Sequence, residues 1–125
     1  MAMVALALMV VVGGLLLGRT AGYAQRKSRE AALSRSGETV DVLAAALKLF
    51  RADCSRYPTL EEGLIVLFSN PGIEGWNGPY INGIRPDPWG EPYRYETDST
   101  NALVASAGPD GVARSPDDIV ATAGP

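Results

Sequence analysis

Residues 2–18 (AMVALALMVVVGGLLLG) carry no charge and almost no polar atom. As a helix, such a run spans roughly 25 Å, near the lower limit for crossing a bilayer. Its place at the very N-terminus and its all-round apolarity argue against a buried core helix. Gly22 and Ala24 have the spacing of a signal peptidase site, but no basic segment precedes the run. It is therefore read as an uncleaved anchor. Residues 25–53 continue the helix into water. Leu33, Val40 and Leu47 recur at seven, and Leu43 and Phe50 fill the alternate positions, giving one apolar face on a polar helix. Ser36 interrupts the stripe, Gly37 weakens it, and Cys54 falls where it would next recur, as a small buried hydrophobe.

Charge is unevenly distributed. Residues 1–56 hold eight Lys/Arg against four Asp/Glu, while residues 57–125 hold three against ten, within a total of −3. The acidic distal half argues against a nucleic-acid partner, which needs a basic face to neutralise phosphates. Histidine is absent and Cys54 is the single cysteine. Ser-His and Cys-His catalysis, a His/Cys zinc site and an intrachain disulfide are all excluded within the chain. All nine prolines and nine of the fourteen glycines lie in residues 57–125. A short, turn-rich domain of this kind needs a staple, and without disulfides a metal is the next candidate.

Pro58 is expected to end the long helix. Thr59 and Glu62 form a capping box that would open a short helix, Leu60 to Phe68, burying Leu64, Leu67 and Phe68. Asn70-Pro71-Gly72 would stop it. Residues 71–91 read as a long loop held by Trp76, Tyr80 and Trp89. Pro88 and Gly90 preset a turn that Trp89 would anchor on the helix stripe. Tyr93 to Tyr95 and Leu103 to Ser106 read as strands, with Thr97 to Asn101 as their hairpin turn.

Asp110, Asp117 and Asp118 place three carboxylates within nine residues, beside Gly108 and Gly111. Hard oxygen donors in a flexible loop suit Ca²⁺, which takes six to eight of them at about 2.3–2.6 Å. By spacing alone such a loop is more often a solvated turn. A hydrolase built on Asp117 and Asp118 is disfavoured, because adjacent side chains diverge and no deep pocket is signalled.

Several blocks occur in a specific order: Arg56-Tyr57-Pro58-Thr59-Leu60-Glu61-Glu62-Gly63-Leu64, then Asn70-Pro71-Gly72, then Trp76-Asn77-Gly78-Pro79-Tyr80. Asp87-Pro88-Trp89-Gly90-Glu91-Pro92-Tyr93 follows, then Ser106-Ala107-Gly108-Pro109-Asp110-Gly111 and Asp117-Asp118-Ile119. Behind an apolar helix that runs into an amphipathic one, this order resembles the G-type major pseudopilins of type II secretion systems over nearly the whole chain. The resemblance implies an α+β, type IV pilin-like fold, with a long N-terminal helix packed on a small C-terminal antiparallel sheet with long loops. Residues 1–24 would be the transmembrane and filament-core helix. Residues 25–125 would be the periplasmic head: an amphipathic helix over 25–56, a short helix and variable loop over 57–91, and sheet plus calcium loop over 92–125. The family binds calcium in that loop. Carried over by position, the ligands would be the carboxylates of Asp110, Asp117 and Asp118, the carbonyl of Ala107, and Ser115.

The implied function is a structural, non-enzymatic subunit. Copies of the chain would polymerise in the periplasm, with minor pseudopilins, to drive export of folded proteins. An inner-membrane assembly platform and its ATPase would drive growth. A type IV pilin, a minor pseudopilin of another filament system, and a non-polymerising membrane-anchored calcium-binding periplasmic module are the alternatives. Type IV pilins often carry a C-terminal disulfide, which Cys54 alone cannot form. The family begins with a basic leader cut by prepilin peptidase after Gly, and has glutamate as its fifth mature residue. Counting back from Tyr57-Pro58 puts Met1 at the first mature position and Ala5 in place of that glutamate. Hydrophobic texture instead aligns Met1 to Leu6 with the stretch after the glutamate, so that leader and glutamate lie upstream. The second register is preferred. Arg19, Arg26, Lys27 and Arg29 all follow the apolar run, and without an upstream basic leader the positive-inside rule would leave the head in the cytoplasm. With Ala5 at the glutamate's place, assembly would be poor.

Overall fold

The apolar stripe expected on residues 25–53 is where the head builds its core. The computed structural model describes the backbone of residues 2–125 and the side chains of residues 21–125. Helix α1 runs from Ala2 to Cys54. Two compact units follow from the packing, Met1–Ala32 and Leu33–Pro125. The anchor side chains expected at residues 2–18, and Ala5 among them, lie outside the described residues. Among the described residues no helix is long and apolar enough to cross a membrane.

In the second unit, Val40, Leu43, Leu47 and Phe50 of α1 are buried together with Ala44 and Ala46. Leu33 is only half-buried. Ser36, read as an interruption, lies fully buried, and its hydroxyl has no hydrogen-bond partner among the described residues. The helix ends earlier than Pro58 implies. Ser55 takes a positive φ of 64° and its N–H donates to the Arg51 carbonyl at 2.8 Å, so a left-handed residue closes the last turn. Cys54 is half-buried against the core rather than fully enclosed.

The sheet is an antiparallel meander of three strands: β1 (Arg94–Thr97), β2 (Ala102–Ser106) and β3 (Ile119–Ala123). Its register pairs Thr97 with Ala102, Val104 with Ala121 and Ala102 with Ala123. Opposed residues share a face of the sheet. Here Ala102, Val104, Ala121 and Ala123 are buried in one cluster with the α1 stripe, and three of the four are alanines. The hairpin over 98–101 forms as expected. Asp98 closes it by accepting from the Thr100 and Asn101 N–H groups, with Ser99 at φ 81°. β3 was not expected.

The capping box forms as a reciprocal pair. Thr59 N donates to Glu62 Oε1 at 2.9 Å and Glu62 N to Thr59 Oγ1 at 3.1 Å. It does not open the helix Leu60 to Phe68. Gly63 at φ 66°, ψ −167° breaks the chain, and only the 3₁₀ turn Leu64–Leu67 follows. Val66 and Leu67 are its buried residues, whereas Leu64 and Phe68 are half-buried. Asn70 Oδ1 then accepts from the N–H groups of Gly72 and Ile73 and turns the chain. Trp76 and Tyr80 pin the following loop as expected. The Trp76 indole donates to the Val66 carbonyl at 2.6 Å, and the Tyr80 hydroxyl donates to Asp53 Oδ2 at 2.7 Å. The Tyr80 ring also meets Phe50 and Trp76 edge-on, with centroids 6.0 and 5.6 Å away. Trp89 is half-buried but is not among the side chains packed on the core. The anchor of its turn is the neighbouring Asp87.

Candidate metal-binding loop

Residues 107–118 join β2 to β3, and their geometry begins at a buried polar node. Asp87 is 4% exposed. Its Oδ1 accepts from the N–H groups of Trp89 (3.1 Å) and Glu91 (2.8 Å), while its Oδ2 accepts from the Ser106 hydroxyl at 2.6 Å. Two backbone bonds, Gly90 N to Asp87 O and Asp87 N to Glu91 O, complete the turn. Ser106, the last residue of β2, in turn accepts from Gly108 N at 3.1 Å. The Asp-Pro-Trp-Gly turn therefore fixes where the acidic loop leaves the sheet.

Gly108 sits at φ +74°, and a β-carbon there would lie 2.4 Å from the Asp117 carbonyl oxygen. Only glycine lets the outgoing and returning arms of the loop come this close. Gly111 N donates to Gly108 O, closing a first turn, and Asp110 Oδ1 accepts from Val112 N at 3.0 Å. Asp118 organises the second turn. Its Oδ1 accepts from Ser115 N (3.2 Å) and Oγ (3.3 Å), and its Oδ2 from Arg114 N (2.8 Å) and Arg94 Nη1 (3.1 Å). Burial pushes its carboxyl pKa up, but the hydrogen bonds from Arg114 N, Ser115 N and the Arg94 guanidinium outweigh that and hold it below the usual carboxylate value. Arg94 Nε also lies 3.4 Å from Glu96 Oε1, and Glu96 pairs with Arg114.

Of the five residues singled out from sequence, the structure joins Asp118 to Ser115 directly and sets the Asp117 backbone against Gly108. Asp110 turns back on its own segment, and the Asp117 carboxylate is exposed with no hydrogen-bond partner among the described residues. Ala107 is half-buried. Among the described residues no three acidic or thiol groups converge as a metal cage. The donors are nevertheless all hard oxygens, and Asp117 has its full coordinating capacity free, so the chemistry fits a calcium ion. Asp118 fits only by giving up existing partners. Sequence reasoning missed Asp87, Ser106 and Arg94. The alternation of β2 could have turned Ser106 inward; nothing local to Arg94 signals its partner 24 residues away. A groove of about 820 Å³ lined by Glu38, Leu43, Tyr80, Ile84, Arg85 and Tyr93 contains none of the five loop residues.

A long helix whose second half carries an antiparallel meander and side-chain-pinned loops defines the pilin-like class of subunits. The family model for type II secretion system protein G matches residues 24–122, and the chain belongs to that family. The type II secretion system core protein G of Klebsiella pneumoniae is 34% identical over 124 residues, covering 94% of this chain and 86% of that protein. The core protein G of Pectobacterium carotovorum subsp. carotovorum is 31% identical over 124 residues, covering 94% and 77%. Among solved structures, the crystal structure of the major pseudopilin from the type 2 secretion system of enterohaemorrhagic Escherichia coli matches with a TM-score of 0.63 at 31% identity, over 75% of this chain and 85% of that one. The chain is a structural subunit of a type II secretion pseudopilus, a component of a multi-subunit secretion assembly in the cell envelope. Its family is structural rather than enzymatic.

Proposed function

We propose that copies of this chain polymerise in the periplasm, together with minor pseudopilins, into the filament that drives export of folded proteins across the outer membrane. Residues 1–24 act as a single-pass inner-membrane anchor and then as the filament core, and residues 25–125 as the periplasmic head. Apolar helices stack because burying their surface is favourable and non-directional. An inner-membrane platform and its ATPase drive growth. The chain has no enzymatic role. The observation carrying this reading is the family match across residues 24–122, on a fold whose head rides on the second half of one long helix. Crosslinking the full chain in membranes is expected to give a ladder of multimers. A monomer band alone overturns polymerisation and leaves a membrane-anchored module.

The loop is proposed to hold Ca²⁺ through the carboxylates of Asp110, Asp117 and Asp118, the Ala107 carbonyl and Ser115. When bound, the ion would crosslink two arms that bury little apolar surface. Asp117 supplies the free carboxylate, and Gly108 allows the close approach of the arms. The full chain in detergent is expected to melt lower in EDTA than in excess Ca²⁺, and the Asp117→Ala variant to lose that difference. Identical curves in both buffers defeat the calcium reading without touching the filament reading.

A further inference from the structure

Asp118 already has a cation. The Arg94 guanidinium reaches it from β1 with Nη1 at 3.1 Å, and the pair is shielded, with side chains 23% and 7% exposed. Shielding spares such a pair most of the screening that weakens surface ion pairs. The grip is also incomplete. Among the described residues only Nη1 of the guanidinium bonds to Asp118, and Arg94 Nε is buried without a hydrogen-bond partner, with Glu96 Oε1 3.4 Å away. A fork that could bind a carboxylate through two parallel bonds is held off that geometry. Glu96, shared between Arg94 and Arg114, offers the guanidinium another anionic partner beside it.

We propose that Arg94 is a built-in competitor for the calcium loop: it neutralises Asp118 when the ion is absent, and a divalent cation must displace it to recruit that carboxylate. This deepens, and rests on, the calcium reading of the same loop. Two cations cannot share Asp118 Oδ2 closely without repulsion. Binding therefore costs the Arg94–Asp118 bond, and the guanidinium is left to Glu96, which already lies 3.4 Å from its Nε. The loop stays folded without the ion, and its affinity is set lower than its oxygen donors alone would give. Removing the competitor separates these effects. Arg94→Gln leaves Asp118 without its counter-charge in the ion-free form and free for the ion.

The test is calorimetric titration of Ca²⁺ into the full chain in detergent, for the native sequence and for Arg94→Gln, with melting curves in EDTA. Arg94→Gln is expected to bind Ca²⁺ about tenfold more tightly, the scale of one shielded charge interaction. It is also expected to melt lower than the native chain in EDTA. On the native chain, the Arg94 Nε–H resonance is expected to move on saturation with Ca²⁺, which checks displacement without any substitution. Equal or weaker binding by Arg94→Gln overturns the proposal, as does an Arg94 resonance that stays fixed while Ca²⁺ binds; either leaves the calcium reading standing. Absence of binding by both chains up to tens of millimolar Ca²⁺ sinks the two together.

Discussion

Replacing Asp87 with alanine should cost the head more than truncating any carboxylate of the acidic loop it supports. The side chain is 4% exposed and accepts three hydrogen bonds, from Ser106 Oγ, Trp89 N and Glu91 N. Ser106 is fully buried, so its hydroxyl has no water to turn to. An orphaned buried donor costs about 1–3 kcal/mol. The two N–H groups lie nearer solvent and lose about 1 kcal/mol each. The sum is roughly 4 kcal/mol, a large part of the 5–15 kcal/mol that holds a typical domain together. Asp87→Asn is milder. Its oxygen can keep the two backbone donors, but its amide presents a donor where Ser106 already donates, so about 1–2 kcal/mol is lost. Ser106→Ala removes one bond at Asp87 and the acceptor of Gly108 N, for a similar loss. Urea denaturation of the full chain, followed by the fluorescence of Trp76 and Trp89, measures all three. The Asp87→Ala and Ser106→Ala losses should not add, because they share a bond. An Asp87→Ala chain within about 1 kcal/mol of the native one, or strict additivity in the double variant, refutes the assignment of this node as the anchor of the turn.

Glu62 gives a pH signature. The Arg56 guanidinium, bonded to it at 2.6 and 3.1 Å, overcomes the opposing effect of burial and, with the Thr59 N–H, holds its carboxyl down to about 2 against 4.5 in the unfolded chain. A depressed carboxyl contributes stability that is fully present above pH 4.5 and lost as pH falls towards 2. The pair is substantially solvent-exposed, so the contribution is discounted to about 1 kcal/mol. Glu62→Gln should therefore melt below the native chain at neutral pH and approach it near pH 2; a constant gap across that range would contradict the pairing. Ser36→Ala should stabilise the head by about 1 kcal/mol, since it deletes a buried unpartnered hydroxyl and adds a better helix former. A loss of stability in chemical denaturation would mean the hydroxyl has a partner after all.

The helix and its apolar face were legible because a 3.6-residue period survives any tertiary context, and Val40, Leu43, Leu47 and Phe50 keep it. The segment after it was not. Thr59 and Glu62 satisfy the capping pattern, yet their pair closes on itself with Arg56, and Gly63 turns the chain before a helix can propagate. β3 was missed because its buried face is Ala121 and Ala123, which carry little apolar weight, while the larger Val120 points out. Trp89 was credited with anchoring its turn because aromatic bulk usually does so; a buried carboxylate does it instead. In the loop, spacing found the carboxylates, since they are close in sequence. It could not find Arg94, because a partner on a different strand is set by register, and register follows from the sheet.

The head has no disulfide, so its long-range ties must come from other groups, and they are mostly uncharged. The hydroxyls of Tyr57 and Tyr95 donate to the carbonyls of Gly124 and Pro58, the Trp76 indole to that of Val66, and Arg51 also reaches Gly124. Burial pushes the Tyr80 and Tyr95 phenols up to about 12, so both remain donors across the whole physiological range. Ties of this kind respond little to salt, to mild acid or to the redox state of the compartment. The loop over 107–118 is built differently: its second turn hangs on one carboxylate, whose cationic partner comes from β1. Dependence on a shielded ion pair is thereby concentrated in this loop, the more exposed Arg56–Glu62 pair lying apart from it. A head constructed this way is held to the helix by ties that salt barely affects, while the second turn of the loop depends on the ion pair that Asp118 and Arg94 form.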